Sequence, residues 1–135
     1  MPSIKLTKGC INSTFALLTV CSLSMAPEPA RSQNLAIAYC STTKSYGHFV
    51  RRNADEAARF ALRRCVEDGG DEGCCEVVAT ASDGSCAALA YAPNGNYGVG
   101  EAEKQTEASS KAAIDCGEPG CVTKIARCAE ILGGK

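Results

Sequence analysis

An internal duplication constrains this chain more than any other feature. Ala36-Ile37-Ala38-Tyr39 returns as Ala88-Leu89-Ala90-Tyr91, Tyr46-Gly47 as Tyr97-Gly98, and Glu56-Ala57 with Ala61 and Cys65 as Glu107-Ala108 with Ala112 and Cys116. Cys75-Glu76-Val77-Val78 then corresponds to Cys121-Val122-Thr123-Lys124, and all four tyrosines of the chain fall into matched pairs. Two copies at a period of about 50 residues are too few for a solenoid, which needs roughly three units to bury its faces. The duplication instead predicts one body built from two similar halves, residues 35–82 and 86–128.

Each half reads as strand, turn, strand, helix, strand. In the second, Ala87 to Ala92 and Asn96 to Gly100 flank Pro93-Asn94-Gly95, where proline fixes one dihedral and Asn-Gly accepts a positive one, so a hairpin is expected. The first uses Ser41-Thr42-Thr43-Lys44 at this turn. Asn53 with Glu56 is a variant of the capping box, and the helix it opens runs to Cys65 with Ala57, Ala58, Ala61 and Leu62 on one side. Alanine there lets the helix approach a sheet closely. The second helix, from about Thr106 to Cys116, is closed by Gly117 and Pro119. The expected fold is α+β: two fused strand-strand-helix-strand repeats with antiparallel sheet, stapled by disulfides.

Lys5 and Lys8 precede an apolar stretch from Phe15 to Met25, followed by small residues around Ala26 and Ala30 to Ser32. This pattern predicts a cleaved signal peptide over residues 1–32, because an apolar run of about 11 residues is far short of the roughly 20 needed to span a bilayer. Leu18-Thr19-Val20-Cys21 is a poor lipoprotein box, with the bulky Val20 where a small residue is wanted. Residues 33–135 then form a single exported domain, periplasmic or extracellular, carrying eleven basic and fourteen acidic residues for a charge of −3. That balance favours neither nucleic acid nor anionic lipid, and no integral membrane segment is left after cleavage.

The leader contains Cys10 and Cys21, which leaves Cys40, Cys65, Cys74, Cys75, Cys86, Cys116, Cys121 and Cys128. An even number of cysteines in a small exported domain reads as a disulfide framework. A zinc site fits less well, since Cys74-Cys75 and the Cys116, Cys121, Cys128 spacing lack paired knuckles. The short hop across Gly117, Pro119 and Gly120 suggests Cys116 with Cys121, and the repeat then suggests Cys65 with Cys75. Cys86 and Cys128 bound the second unit and would join its beginning to its end, leaving Cys40 with Cys74. A vicinal Cys74–Cys75 bridge is the rival for those two residues.

The two-copy pattern of Ala-x-Ala-Tyr, Tyr-Gly, an Ala-rich helix ending in cysteine and Cys-x-Val-Val resembles the bacterial secreted family known as domain of unknown function 4189. The matching residues run from Ala36 to Cys128 and include Cys-Ala-Ala-Leu-Ala at Cys86 to Ala90. The resemblance implies a fold and an exported compartment, not a reaction. The chain departs from the family's common pattern at Cys40, Cys74 and Thr80-Ala81.

Nothing in the sequence demands a catalytic role, a metal or a cofactor. The only histidine, His48, stands where the second repeat has Val99, which favours an ordinary strand side chain, and fully oxidised cysteines leave no thiolate for it to activate. Ser82 and Ser85 flank a plain Asp83-Gly84 turn. Glu67, Asp68, Asp71, Glu72 and Glu76 crowd one loop and raise the alternatives of a calcium site or a cell-wall or sugar hydrolase, but the ligand spacing only loosely approaches a calcium loop. Arg51, Arg52, Arg59, Arg63 and Arg64, against Asp55 and Glu56, give the first helix region a charge of +3. Arginine throughout favours contact with carboxylate or phosphate, because a guanidinium binds these bidentately. The reading is a non-catalytic binding or inhibitory module for a protein or cell-envelope ligand, with a secreted effector acting on a host as a further alternative.

Overall fold

The computed structural model describes residues 33–130, so the expected leader, with Cys10 and Cys21, lies outside the described residues. Within them the order is β1 (Asn34–Cys40), β2 (Ser45–Arg51), α1 (Ala54–Glu67), β3 (Glu76–Ser82), β4 (Cys86–Tyr91), β5 (Tyr97–Ala102), α2 (Gln105–Cys116) and β6 (Val122–Cys128). Two separate antiparallel sheets result, ordered β2-β1-β3 and β5-β4-β6. In each, the first strand of the repeat is central.

Strand alternation sorts the central strands into two faces. On β1, Leu35, Ile37 and Tyr39 point one way and Ala36, Ala38 and Cys40 the other; on β4, Ala87, Leu89 and Tyr91 oppose Cys86, Ala88 and Ala90. The large side chains of both strands meet in one core between the sheets, with Val50, Val78, Val99 and Ile125 packed against it. The small ones face a helix, α1 in the first repeat and α2 in the second. The layers therefore run helix, sheet, sheet, helix. Leu35, Ile37 and Leu89 are fully buried, and each contributes roughly 1.5–3 kcal/mol by leaving water.

Small residues set the helix-to-sheet distance. A Cβ placed on Gly47 would lie 2.5 Å from the backbone nitrogen of Cys65 and 2.6 Å from the carbonyl of Ala61, and one on Gly98 would lie 2.5 Å from the carbonyl of Ala112. Ala57 and Ala61 on α1, like Ala108 and Ala112 on α2, are buried at this contact. The third strands also repeat an irregularity: the register against the central strand shifts between Ile37 and Ala38 opposite β3, and between Leu89 and Ala90 opposite β6.

The helix ends differ in their chemistry. At α1 the side chain of Asn53 accepts from the backbone N–H groups of Asp55 and Glu56, and the helix continues past Cys65 to Glu67. Lys104 begins α2 with no side-chain cap, and Gly117 ends it at φ 74°, a left-handed conformation that suits glycine. Gly95, at φ 96°, supplies the positive dihedral of the second hairpin. Four disulfides join Cys40 to Cys74, Cys65 to Cys75, Cys86 to Cys128 and Cys116 to Cys121. The Cys65 and Cys116 bridges occupy equivalent places, each tying the end of a helix to the start of the third strand.

Candidate functional site

The charged face of the first repeat is organised around two phenylalanines. Phe49 lies two residues from Gly47 on β2 and so shares its helix-facing side; Phe60 comes from α1, with Arg63 and Arg64 one turn further on. The rings stand 5.0 Å apart, tilted by 34°. The Arg51 guanidinium lies over both, 5.1 Å from Phe49 and 4.7 Å from Phe60. Arg63 covers Phe60 at 4.9 Å, and Arg64 lies 5.6 Å from Phe49. At exposed sites such contacts are worth about 0.5–1 kcal/mol each. Stacking uses the flat face of a guanidinium, whereas its five donors lie in the plane, so a stacked arginine keeps its hydrogen-bonding edge for another group.

The five arginines singled out in the sequence do not form one cluster. Arg51, Arg63 and Arg64 share the aromatic pair. Arg59 lines a hollow of about 440 Å³ with Leu62, Arg63, Val66 and Glu72. Arg52 sits beyond the end of β2, its carbonyl accepting from the Asn34 side chain at 2.8 Å. All five are exposed.

His48 and Arg127 add a contact that the sequence did not disclose. His48 has the opposite strand parity to Gly47 on β2, and Arg127 of β6, in the second repeat, donates to its Nε2 at 3.0 Å. A guanidinium can only donate, so the imidazole nitrogen accepts and is unprotonated. Burial lowers the His48 pKa most, and the positive charges of Arg127 and Arg64 lower it further. His48, Phe49, Val50, Arg64 and Arg127 line a hollow of about 290 Å³. A second hollow of about 430 Å³ shares His48 and Arg64 and is completed by Tyr46, Gly47, Glu67 and Asp68.

The acidic loop is partly committed to its own backbone. The Asp68 Oδ2 accepts from the N–H of Tyr46 at 3.1 Å, and its carbonyl accepts from the Ser45 hydroxyl at 3.3 Å. The Asp71 Oδ1 accepts from the N–H groups of Gly73 and Cys74 at 2.9 and 3.0 Å. These carboxylates shape the loop that delivers Cys74 and Cys75 to their bridges. Among the described residues, no three or more His, Cys, Asp or Glu side chains converge as they would around a metal ion.

The four tyrosines form the remaining polar feature, at the seam between the sheets. Tyr39 stacks on Tyr91 with ring centres 5.0 Å apart, Tyr39 meets Tyr97 at 5.0 Å, and Tyr46 meets Tyr91 edge-on at 6.2 Å. The last two contacts exchange repeat roles, as a two-fold relation between the halves requires. The Tyr39 hydroxyl donates to the carbonyl of Gly95 at 3.0 Å, and burial, with Tyr91 and Tyr97 nearby, pushes its pKa up to about 12.

Two fused β-β-α-β repeats, packed sheet to sheet and crosslinked by disulfides, define the class of this protein as a duplicated α+β domain. The chain belongs to the family described as domain of unknown function (DUF4189), whose model matches residues 34–129. No curated protein and no solved structure matches it.

Proposed function

We propose that this is an exported, non-catalytic binding module that works outside the cytosol and recognises an acidic protein or cell-envelope ligand through the arginine face of its first repeat. The observation that carries this reading is the gathering of Arg51, Arg63 and Arg64 over the rings of Phe49 and Phe60. In the second repeat the corresponding residues are Ala102, Ile114, Asp115, Gly100 and Lys111, so this chemistry is not needed to build the fold. Eight cysteines engaged in four bridges suit an oxidising compartment, where such frames persist. Preorganised arginines with an aromatic floor are the residue types that dominate binding energy at protein interfaces. No helix among the described residues is long and apolar enough to cross a membrane.

The test compares the oxidised domain with a triple variant, Arg51→Ala with Arg63→Ala and Arg64→Ala, as baits for the exported fraction of the source cells. A discrete species held by the native face should bind the variant at least about 100-fold more weakly, a loss of about 2.7 kcal/mol. Equal retention by both baits, or turnover of a cell-wall substrate by the purified domain, rules the reading out.

A further inference from the structure

The hollow between β2, α1 and β6 has a chemistry that the other half of the molecule lacks. Its lining comes from both repeats: the guanidiniums of Arg64 from α1 and Arg127 from β6, and the neutral His48 imidazole, with Phe49 and Val50 as walls. At the equivalent place in the duplicated arrangement stand Asp115, Ala81 and Val99. Those residues show that the fold itself requires neither the arginines nor the histidine.

We propose that this hollow binds a single oxyanion, a carboxylate or phosphate group carried by the ligand. The inference rests on the binding role above and specifies the chemistry that is bound. Guanidinium donors lie in a plane that matches two oxygens of either group, and a volume of about 290 Å³ admits such a group rather than a whole large ligand. Arg127 spends a donor on the lone pair of His48, and Arg64 lines the same hollow beside the uncharged ring. An anion reverses this balance. It draws the Arg127 donors to itself and favours the imidazolium, so that His48 changes from acceptor to donor and a proton is taken up from solvent. The charged groups facing His48 are Arg64 and Glu67 from α1, Asp68 at the end of that helix, and Arg127 from β6. Its partner on β1 is the apolar Ile37. Asp68 lines the neighbouring hollow, its Oδ2 engaged by the Tyr46 N–H, while the hollow that Arg127 lines holds no carboxylate.

His48 is the only histidine in the chain, so its ring resonances report on this hollow alone. The experiment follows them by NMR across pH in the oxidised protein, in chloride, inorganic phosphate and succinate at matched ionic strength. Phosphate or succinate should raise the His48 midpoint saturably by about one unit over chloride, a tenfold shift toward the imidazolium. Arg127→Gln should abolish that increment, while Lys111→Gln on α2 should retain it. A rise in phosphate alone assigns a phosphoryl group, and a rise in succinate alone assigns a carboxylate. If Arg127→Gln fails to melt cooperatively, Arg64→Gln takes its place. Identical midpoints in the three salts overturn the proposal. Because no partner is present, that result leaves the binding role itself to be judged by the bait comparison.

Discussion

The two repeats agree on their inner surfaces and part company on their outer ones. Ala57 and Ala108, Ala61 and Ala112, Gly47 and Gly98, Tyr39 and Tyr91 hold matching places in contact with a helix or with the opposite sheet. Outside that shell, Phe60 faces Lys111 in the comparison, Arg63 faces Ile114, and Asn53 faces Lys104. Packing density explains the first set, since a close-packed interior registers a single added methyl group. Solvent tolerates the second set, because exposed positions away from the packed shell change stability little when substituted. The seams differ too: where β2 meets β6, Arg127 bonds His48, whereas where β3 meets β5 the Glu101 carboxylate reaches the Thr80 N–H at a long 3.5 Å.

The largest effect belongs to the bridges, and the two inside the second repeat differ most in the loop they close. Cys86–Cys128 closes a separation of 42 residues and Cys116–Cys121 one of only 5. Loop-closure entropy then assigns about 4 kcal/mol to the first and about 2 kcal/mol to the second. Replacing each pair by alanine and comparing denaturant midpoints should show the long bridge costing roughly twice as much; a larger loss from the short bridge would break the entropic account.

Next in size are the glycines at the helix contacts. Gly47→Ala and Gly98→Ala should each destabilise by about 3 kcal/mol, the upper range for overpacking, because the atoms met are backbone of a helix and cannot rotate away. Thermal melts of the two variants should agree to within about 1 kcal/mol, and a mild loss at one site alone would mean that the helices are not seated alike.

The smallest effect belongs to the caps. Asn53→Ala should cost about 1 kcal/mol, while Lys104→Asn should stabilise α2 by about 0.5 kcal/mol or more, since only α1 has a side chain on its first amides. Urea unfolding of both variants checks the pair of signs.

The fold was legible because duplication doubles every weak signal: Ala-x-Ala-Tyr read once is ambiguous, but read twice in register it places two central strands and their faces. The basic face was legible only in part. Arg63 and Arg64 stand three and four residues after Phe60, which is one helical face, and Phe49 shares strand parity with Gly47; together these hint at the aromatic pair. The bond between Arg127 and His48 spans 79 residues and two repeats, and no local periodicity reports a contact between sheets. His48 does occupy the strand position that Val99 predicts, yet its partner was invisible. The acidic loop was open to opposite readings, because an aspartate that caps amides looks the same in sequence as one that awaits a ligand; Asp68 and Asp71 are now placed on backbone N–H groups.

The chain has no tryptophan, and its four tyrosines all gather where the halves meet. Its tyrosine emission therefore originates at that one seam, whereas the near-ultraviolet dichroism also carries the disulfides and the Phe49–Phe60 pair. Ordinary bench spectroscopy, with no label attached, follows the docking of one repeat on the other separately from the folding of either, which far-ultraviolet signals record.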